Sequence, residues 1–263
     1  MKSEKGFYNI TVMIPKKIHY VWLGKGKKKP LANICINSWF LTLTDYEITE
    51  WNEDNLNLDE LCAHNRFLSE CRKRKLWAFM ADYLRLYILY QHGGIYMDVD
   101  VQVLKKFDNL LDRDFFIGYE YYTYNEDNSV TEGTGVIAAA PHNPIIKKCL
   151  DYYDSKIWET DVYFIPTIFT IVLKEFNPSE YTIYPVEYFA PYDYRKSFGY
   201  NSITPDTYAI HWFDGSWTSN KHVGQFLKVK HIKNPIIKFA LICKYSIQHY
   251  IFKCKQAVKV LIK

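Results

Sequence analysis

The sequence predicts an α/β fold in which a mainly parallel, Rossmann-like sheet is flanked by helices. Strand-like apolar segments alternate with helical segments along the 263 residues, an order that favours parallel strands joined by helices. No repeat of solenoid length is visible, and the chain is long enough to bury a substantial core. In sheets of this class, ligands bind at the carboxyl ends of the strands.

The first half of the chain supplies the opening strands and a long helical stretch. Residues 14–23 look like a first strand, and the basic loop 24–30 that ends it is interpreted as a solvated turn because it lacks the P-loop spacing. The next predicted elements are a helix over residues 33–41, a strand over 46–51, and a mainly helical stretch over 58–91 with a basic break at 72–75.

The second half continues the pattern and ends in a separate segment. The predicted elements are strands over residues 93–101, 115–119 and 133–140, then a helix over 143–153. We divide the chain into a domain over residues 1–233 and a basic amphipathic C-terminal helix over residues 234–263, with Asn234 as its cap and Pro235 at its first position.

Asp98-Val99-Asp100 is the most informative motif in the chain. Two carboxylates one residue apart, at the end of an apolar run, can hold Mg²⁺ or Mn²⁺ and leave room for substrate phosphates. In an extended strand, Tyr96, Asp98, Asp100 and Gln102 would share one face. The alternative is an ordinary half-exposed strand whose aspartates are solvated, so the surrounding residues must decide between the two.

A charged pair occurs in the helix that precedes this motif. Asp82 and Arg85 lie three residues apart on one helix face among apolar and aromatic neighbours. They are either an intrahelical ion pair of little energetic weight or a pair that points into a cleft under the Asp98-Val99-Asp100 segment. In the second case Asp82 would accept hydrogen bonds from hydroxyls, and Arg85 would bind hydroxyls or phosphate.

The net charge of +4 hides an acidic body and a basic tail, because no acidic residue follows Asp214. The basic residues after it are Lys221, Lys228, Lys230, Lys233, Lys238, Lys244, Lys253, Lys255, Lys259 and Lys263. The helix over residues 234–263 has an apolar half, which either rests on an anionic membrane surface or packs on the domain. We do not expect this segment to bind nucleic acid.

The composition also bears on the compartment. The six cysteines show no Cys-x-x-Cys spacing, no signal peptide precedes Ile14, and no uncharged apolar stretch of about 18 residues occurs. We therefore expect a cytoplasmic protein with reduced thiols, with the inner face of the membrane as its site if the tail binds lipid.

Four motifs in order carry a family resemblance over about residues 14–217. They are Ile14-Pro15-Lys16-Lys17-Ile18-His19-Tyr20-Val21-Trp22, Ala81-Asp82-Tyr83-Leu84-Arg85, Gly93-Gly94-Ile95-Tyr96-Met97-Asp98-Val99-Asp100 and His211-Trp212-Phe213-Asp214-Gly215-Ser216-Trp217. Together they resemble the sugar-transfer domain of glycosyltransferase family 32, with a donor site similar to that of the large clostridial glucosylating toxins. The resemblance implies a GT-A fold, a nucleotide-sugar donor, Mn²⁺ or Mg²⁺, and retention of the anomeric configuration.

The resemblance also implies residue roles. Asp98, Asp100 and Trp217 would be catalytic, with Asp98 touching ribose and sugar hydroxyls and the Trp217 indole bonding the leaving phosphate oxygen. Asp100 and His211 would bind the metal. The donor would be held by Trp22, Asp82, Arg85, Tyr96 and Asp98, with Trp22 stacked on the base.

The resulting hypothesis is a metal-dependent hexosyltransferase of surface polysaccharide synthesis. The resemblance favours a UDP-sugar donor, with a GDP-sugar second, and a glycan or lipid-linked acceptor. The sequence leaves open which sugar is transferred, which linkage is formed, and whether the reaction uses a protein nucleophile or front-face attack. It also leaves open whether Glu132 lies in a solvated loop or lines a sugar pocket. Two rival hypotheses are a haloacid-dehalogenase-like phosphatase with Asp98 as nucleophile and a non-catalytic carbohydrate- or nucleic-acid-binding protein.

Overall fold

The computed structural model describes residues 13–121, 130–193, 196–215, 224–245 and 247. Eight strands occur in these ranges: β1 (Lys17–Val21), β2 (Glu47–Trp51), β3 (Gly94–Met97), β4 (Val101–Val103), β5 (Phe115–Tyr121), β6 (Val130–Ala139), β7 (Thr182–Tyr184) and β8 (Ala209–His211). Six of them form one sheet in the order β2-β1-β3-β6-β5-β7, and β4 pairs with β8 in a second sheet.

The main sheet is mixed, with more parallel than antiparallel pairs. β1 runs parallel to β2 and β3, and β5 runs parallel to β7, whereas β6 is antiparallel to both of its neighbours. Only eight residues separate β5 from β6, too few for the helical crossover that a parallel pair requires. The predicted class, α/β with a mainly parallel sheet flanked by helices, is confirmed, and β6 is the departure from it.

Helices cover both faces of this sheet. They are α1 (Pro30–Thr42), α2 (Leu58–His64), α3 (Arg66–Lys73), α4 (Trp77–His92), α5 (Pro144–Asp154), α6 (Ile165–Leu173), α7 (Val186–Phe189) and α8 (Gly224–Lys228). Residues 235–245 and 247 form a further helix, which we call the C-terminal helix. The predicted break in the long helical stretch is confirmed, because α3 ends at Lys73 and α4 begins at Trp77.

Two hydrophobic clusters sandwich the sheet. Tyr96 of β3 points to the cluster built by α3, α4, α5 and α6, whereas Ile95 and Met97 point to the cluster that contains Trp39 of α1 and Phe189 of α7. This alternation is the expected pattern for a strand that is buried on both faces.

The single strand predicted over residues 93–101 is wrong. β3 ends at Met97, the backbone N–H of Val101 donates to the carbonyl of Asp98 at 3.0 Å, and β4 then joins the other sheet. The chain must turn here because its partner changes from β6 to β8. Asp98 and Asp100 therefore lie in a tight turn rather than on one face of a continuous strand.

The C-terminal helix starts where the sequence predicts. The Asn234 side chain accepts hydrogen bonds from the backbone N–H groups of Ile236 and Ile237, at 2.9 and 3.2 Å, which is the geometry of an N-cap. Across the described ranges, none of the helices combines the length and the apolar character that crossing a bilayer demands.

Candidate functional site

The site lies at the carboxyl edge of the two central parallel strands. Ile18 and His19 of β1 are in register with Ile95 and Tyr96 of β3. The residues that follow the two strands, Trp22 and Asp98, therefore leave the sheet at the same edge. This is the edge at which α/β sheets bind ligands.

Three potential metal ligands meet next to the turn after β3. One ligand atom each from Asp98, Asp100 and His211 lies within 4.8 Å of the others. The turn brings the two carboxylates together, and the pairing of β4 with β8 sets His211 opposite Val101, so that its Nε2 is 3.4 Å from Asp100 Oδ1. Two oxygens and one imidazole nitrogen fit a divalent cation such as Mn²⁺, so the residues form a candidate metal site.

Asp100 is held as a carboxylate by its neighbours. Burial raises its pKa, but the charge and hydrogen bond of His211 and the backbone N–H of Asp214 outweigh that effect and lower the pKa to about 2. The N–H of Asp214 donates to Asp100 Oδ2 at 2.8 Å, and Lys29 Nζ lies 2.6 Å from Asp214 Oδ2. The loop after β1 is thus connected to Asp100 through Asp214.

His211 is flanked by two carboxylates. Its Nδ1 lies 2.9 Å from Glu120 Oε1, while its Nε2 faces Asp100. Burial disfavours the charged imidazole, but Asp100 and Glu120 raise the pKa of His211 well above its usual value. Both ring nitrogens thus lie beside carboxylate oxygens, toward which each can donate a hydrogen bond. A cation at the site would take the place of the proton on Nε2, while Nδ1 would keep its hydrogen bond to Glu120.

Glu120 and Gly135 are site residues that the sequence did not single out. The backbone N–H of Gly135 donates to Glu120 Oε1 at 3.3 Å, and its carbonyl accepts from the backbone N–H of Asp98 at 2.9 Å. A Cβ at Gly135 would lie only 2.7 Å from His211 Nδ1. Neither residue sits in a recognisable motif, and their roles arise from the pairing of β5 with β6.

Arg85 joins the metal site to the predicted donor residues. It is 5% exposed, and its Nη2 lies 2.9 Å from Asp82 Oδ1 and 3.2 Å from Asp98 Oδ1. Its Nη1 donates to the Thr134 carbonyl at 2.7 Å, and Tyr96 OH donates to Asp98 Oδ1 at 3.1 Å. The structure therefore brings Asp82, Arg85, Tyr96 and Asp98 together, and we call these four residues the Arg85 cluster. Within it, Arg85 forms ion pairs both with Asp82 on its own helix and with Asp98 in the turn after β3.

The pKa values of the two carboxyl groups beside Arg85, those of Asp82 and Asp98, are both raised. Burial raises the pKa of Asp82 to about 7, Arg85 opposes the rise, and Asp98 adds to it. Burial likewise raises the pKa of Asp98, again against Arg85. Near neutral pH, Asp82 is therefore able to donate as well as to accept hydrogen bonds.

Trp22 belongs to a different part of the same edge. It is half-buried, its Nε1 donates to the Gly26 carbonyl at 2.7 Å, and Lys28 Nζ lies 5.3 Å from its ring centre. Its contacts are therefore with the loop after β1 rather than with the Arg85 cluster. Trp217, the other indole predicted for this site, lies outside the described residues.

Glu132 lies on β6 and not in the loop that the sequence suggested. Its carboxylate accepts a hydrogen bond from Thr170 of α6. Glu132 therefore links β6 to α6.

The chain is similar to known proteins over part of its length. Residues 31–117 match the model of a family described as a glycosyltransferase sugar-binding region containing a DXD motif. The matched stretch runs from α1 into β5 and contains Asp82, Arg85, Asp98 and Asp100. Asp98-Val99-Asp100 is an Asp-x-Asp sequence within this matched stretch.

Two curated proteins are similar over part of the chain. An uncharacterised glycosyltransferase of Acanthamoeba polyphaga mimivirus is 29% identical over 136 residues, 51% of this chain and 53% of that protein. Inositol phosphoceramide mannosyltransferase 3 of Schizosaccharomyces pombe is 30% identical over 106 residues, 40% of this chain and 29% of that protein. The chain thus spans about half the length of the first relative and less of the second.

Solved glycosyltransferase structures resemble the chain as well. PaToxG glycosyltransferase aligns with a TM-score of 0.48 and 19% identity, over 62% of this chain and 70% of that one. A glycosyltransferase involved in the glycosylation of the major capsid of PBCV-1 aligns with a TM-score of 0.45 and 13% identity, over 75% of this chain and 94% of that one.

Proposed function

We propose that this chain is a metal-dependent glycosyltransferase, from the premise that residues 31–117 are a DXD-containing glycosyltransferase sugar-binding region. The observation that carries the proposal is the meeting of Asp98, Asp100 and His211 beside the Arg85 cluster, at the carboxyl edge of the sheet. A metal-ligating set next to groups that bind hydroxyls suits a nucleotide sugar, which carries both a diphosphate and a sugar.

In this proposal Asp100 and His211 hold the cation and Asp98 completes the set. The bound cation would supply electrostatic stabilisation for the diphosphate that departs from the sugar. Glu120 keeps the His211 ring oriented with Nε2 toward the site. The Trp217 indole would donate a hydrogen bond to the leaving phosphate oxygen.

The Arg85 cluster is the proposed sugar site. Asp82 and Asp98 would exchange hydrogen bonds with sugar hydroxyls, and Arg85 would fix both carboxyl groups in place. Tyr96 supports Asp98 from behind, since its ring is almost fully buried and its hydroxyl donates to that carboxylate. Trp22 would stack on the base of the nucleotide.

The finer identity of the reaction follows from the resemblance. We propose a UDP-sugar as donor, with a GDP-sugar second, a glycan or a lipid-linked acceptor, Mn²⁺ or Mg²⁺ as cofactor, and retention of the anomeric configuration. We also propose that the protein acts in surface polysaccharide synthesis from the cytoplasm, with the inner face of the membrane as its site if the tail binds lipid.

Hydrolysis of nucleotide sugars by the purified protein tests the proposal. A panel of UDP- and GDP-sugars is incubated with Mn²⁺, with Mg²⁺ and with a chelator, and the released nucleoside diphosphate is measured. We expect turnover of at least one donor that the chelator abolishes and that Asp100→Asn lacks. The matched control is Asp112→Asn, which removes the charge of an exposed aspartate paired with Arg113.

Two outcomes would contradict the proposal. Turnover of a donor that is equal with chelator and with Mn²⁺ would remove the metal from the reaction. Release of phosphate from simple phosphomonoesters, with no donor turned over, would favour the phosphatase hypothesis instead.

A further inference from the structure

The C-terminal helix exposes an apolar face that the rest of the described chain leaves uncovered. Ile236 is 79% exposed, Phe239 is 70% exposed and Ile247 is 60% exposed. At 100° per residue these three side chains fall on one side of the helix. Isolated apolar residues on a surface are common, but a contiguous face of large side chains marks an interaction site.

The opposite side of the helix faces the domain, and two contacts fix this orientation. Lys238 Nζ lies 5.4 Å from the Phe226 ring, and Lys228 Nζ lies 5.4 Å from the Tyr245 ring. Lys238 and Tyr245 are seven residues apart and therefore lie on the same helix face. Over residues 235–245 and 247, the apolar face is thus not the one that contacts the domain. The remainder of the helix predicted over residues 234–263 lies outside the described residues.

Cations border the apolar face. Lys233 and Lys244 are exposed at either end of the described helix. No acidic residue follows Asp214 in the chain, so the segment that carries this face has no negative side chain of its own.

We propose that this face binds an anionic lipid bilayer, with Ile236, Phe239 and Ile247 inserted among the headgroups and with Lys233 and Lys244 at their level. An exposed apolar stripe bordered by cations is the composition of an interfacial helix, and each basic residue near such a surface gains from its negative potential. The inference deepens the proposed location at a membrane and rests on it, but not on the sugar-transfer chemistry.

The test uses the full chain with two kinds of vesicle. Sedimentation is measured with phosphatidylglycerol vesicles and with phosphatidylcholine vesicles, for the wild type and for the double variant Ile236→Ser, Phe239→Ser. We expect the wild type to bind the anionic vesicles preferentially, and the double variant to bind them at least about tenfold more weakly, because two large apolar side chains are removed.

Leu41→Ser is the matched control. Leu41 is 80% exposed on α1, so its substitution removes a comparable apolar side chain from another surface. This variant should bind the anionic vesicles as the wild type does. Thermal unfolding of all variants should stay close to that of the wild type, because every substituted side chain is exposed.

Three results would overturn the inference. They are equal vesicle binding by the wild type and the double variant, equal binding to neutral and anionic vesicles, and a dimer in solution that the double variant abolishes while vesicle binding is absent. Donor hydrolysis separates this inference from the proposed function: the double variant should hydrolyse soluble donor at the wild-type rate. Vesicle binding by a protein that turns over no donor would leave the inference standing and remove the proposed function.

Discussion

Glu120 Oε1 accepts a hydrogen bond from His211 Nδ1 at 2.9 Å, and this contact decides which nitrogen of His211 faces Asp100. The same carboxylate oxygen accepts from the Gly135 N–H, and the Gly135 carbonyl in turn holds the Asp98 N–H. One acidic side chain on β5 therefore supports two of the three candidate metal ligands without being a ligand itself.

Loss of Glu120 should weaken metal binding more than it weakens the fold. We expect Glu120→Ala to raise the dissociation constant for Mn²⁺ about 10- to 100-fold, because the imidazole loses the partner that fixes its tautomer. Glu120→Gln should have a smaller effect, since its amide oxygen can still accept from Nδ1. Mn²⁺ titration followed by electron paramagnetic resonance measures this directly, and equal affinity in all three proteins would contradict the assignment.

Substitution of the three candidate metal ligands, one at a time, should cause losses of different size. Asp100→Asn should abolish Mn²⁺-dependent turnover while the protein stays folded, and Asp98→Asn should be severely impaired. His211→Ala should weaken Mn²⁺ binding less than Asp100→Asn does, because water can replace a neutral ligand more easily than a charged one. Wild-type rates for both aspartate variants at saturating donor would show that the metal assignment is wrong.

Trp22 should contribute to donor binding rather than to the chemical step. Trp22→Ala should raise the donor KM by about 5- to 150-fold, corresponding to roughly 1–3 kcal/mol of base stacking. Trp22→Phe should retain most of the affinity. Steady-state kinetics with the best donor of the panel provide the measurement, and an unchanged KM in Trp22→Ala would assign the ring to the loop that it already contacts.

Trp217→Phe should have the opposite kinetic signature. The substitution keeps an aromatic ring but removes the indole N–H, whose hydrogen bond would strengthen as the phosphate departs. We therefore expect a lower kcat with little change in KM. A raised KM at unchanged kcat would argue against that role.

His19 makes stability depend on pH in a defined window. His19 is 2% exposed, its Nδ1 accepts from Trp51 Nε1 at 3.1 Å, and its Nε2 lies 2.8 Å from the Gly93 carbonyl. Burial lowers its pKa from 6.5 to about 4, although the Gly93 carbonyl favours the proton. Between these pH values the unfolded chain binds more protons than the native one, so stability falls as the pH falls through the window.

Because each pKa unit corresponds to about 1.4 kcal/mol, this histidine should lower the free energy of unfolding by about 3 kcal/mol at pH 4. Urea unfolding of the wild type and of His19→Gln from pH 4 to pH 8 measures it as a difference. The glutamine can make both hydrogen bonds without titrating, so its stability should depend less on pH. Parallel pH curves for the two proteins would contradict the prediction.

Local patterns explain what the sequence could predict. Asp82 and Arg85 are three residues apart on α4, so their pairing follows from helix geometry alone. The cap at Asn234 and the break before α4 are likewise encoded within a few residues. The strand and helix order also predicts the carboxyl edge at which Trp22 and Asp98 emerge.

Tertiary pairing explains what the sequence could not predict. The apolar run through Met97 gives no sign that the chain changes sheets at Asp98, since that depends on β8 pairing with β4 more than 100 residues away. In the sequence, Glu120 looks like an ordinary strand carboxylate, because its partner His211 is brought beside it only by strand β8. The side of the C-terminal helix that faces the domain depends on Phe226 and Lys228, neither of which any helix pattern identifies as a contact.

The ion pair between Lys29 and Asp214 is separable from the hydrogen bond that supports Asp100. Lys29 is half-exposed, so its bond to Asp214 is worth no more than about 1 kcal/mol. The loop that carries Lys29 is also held by Lys28, whose Nζ lies 2.7 Å from Glu50 Oε2, and by the Gly24 N–H, which donates to Glu53. Loss of the Lys29 charge would therefore leave both the loop and the hydrogen bond from the Asp214 N–H to Asp100 in place.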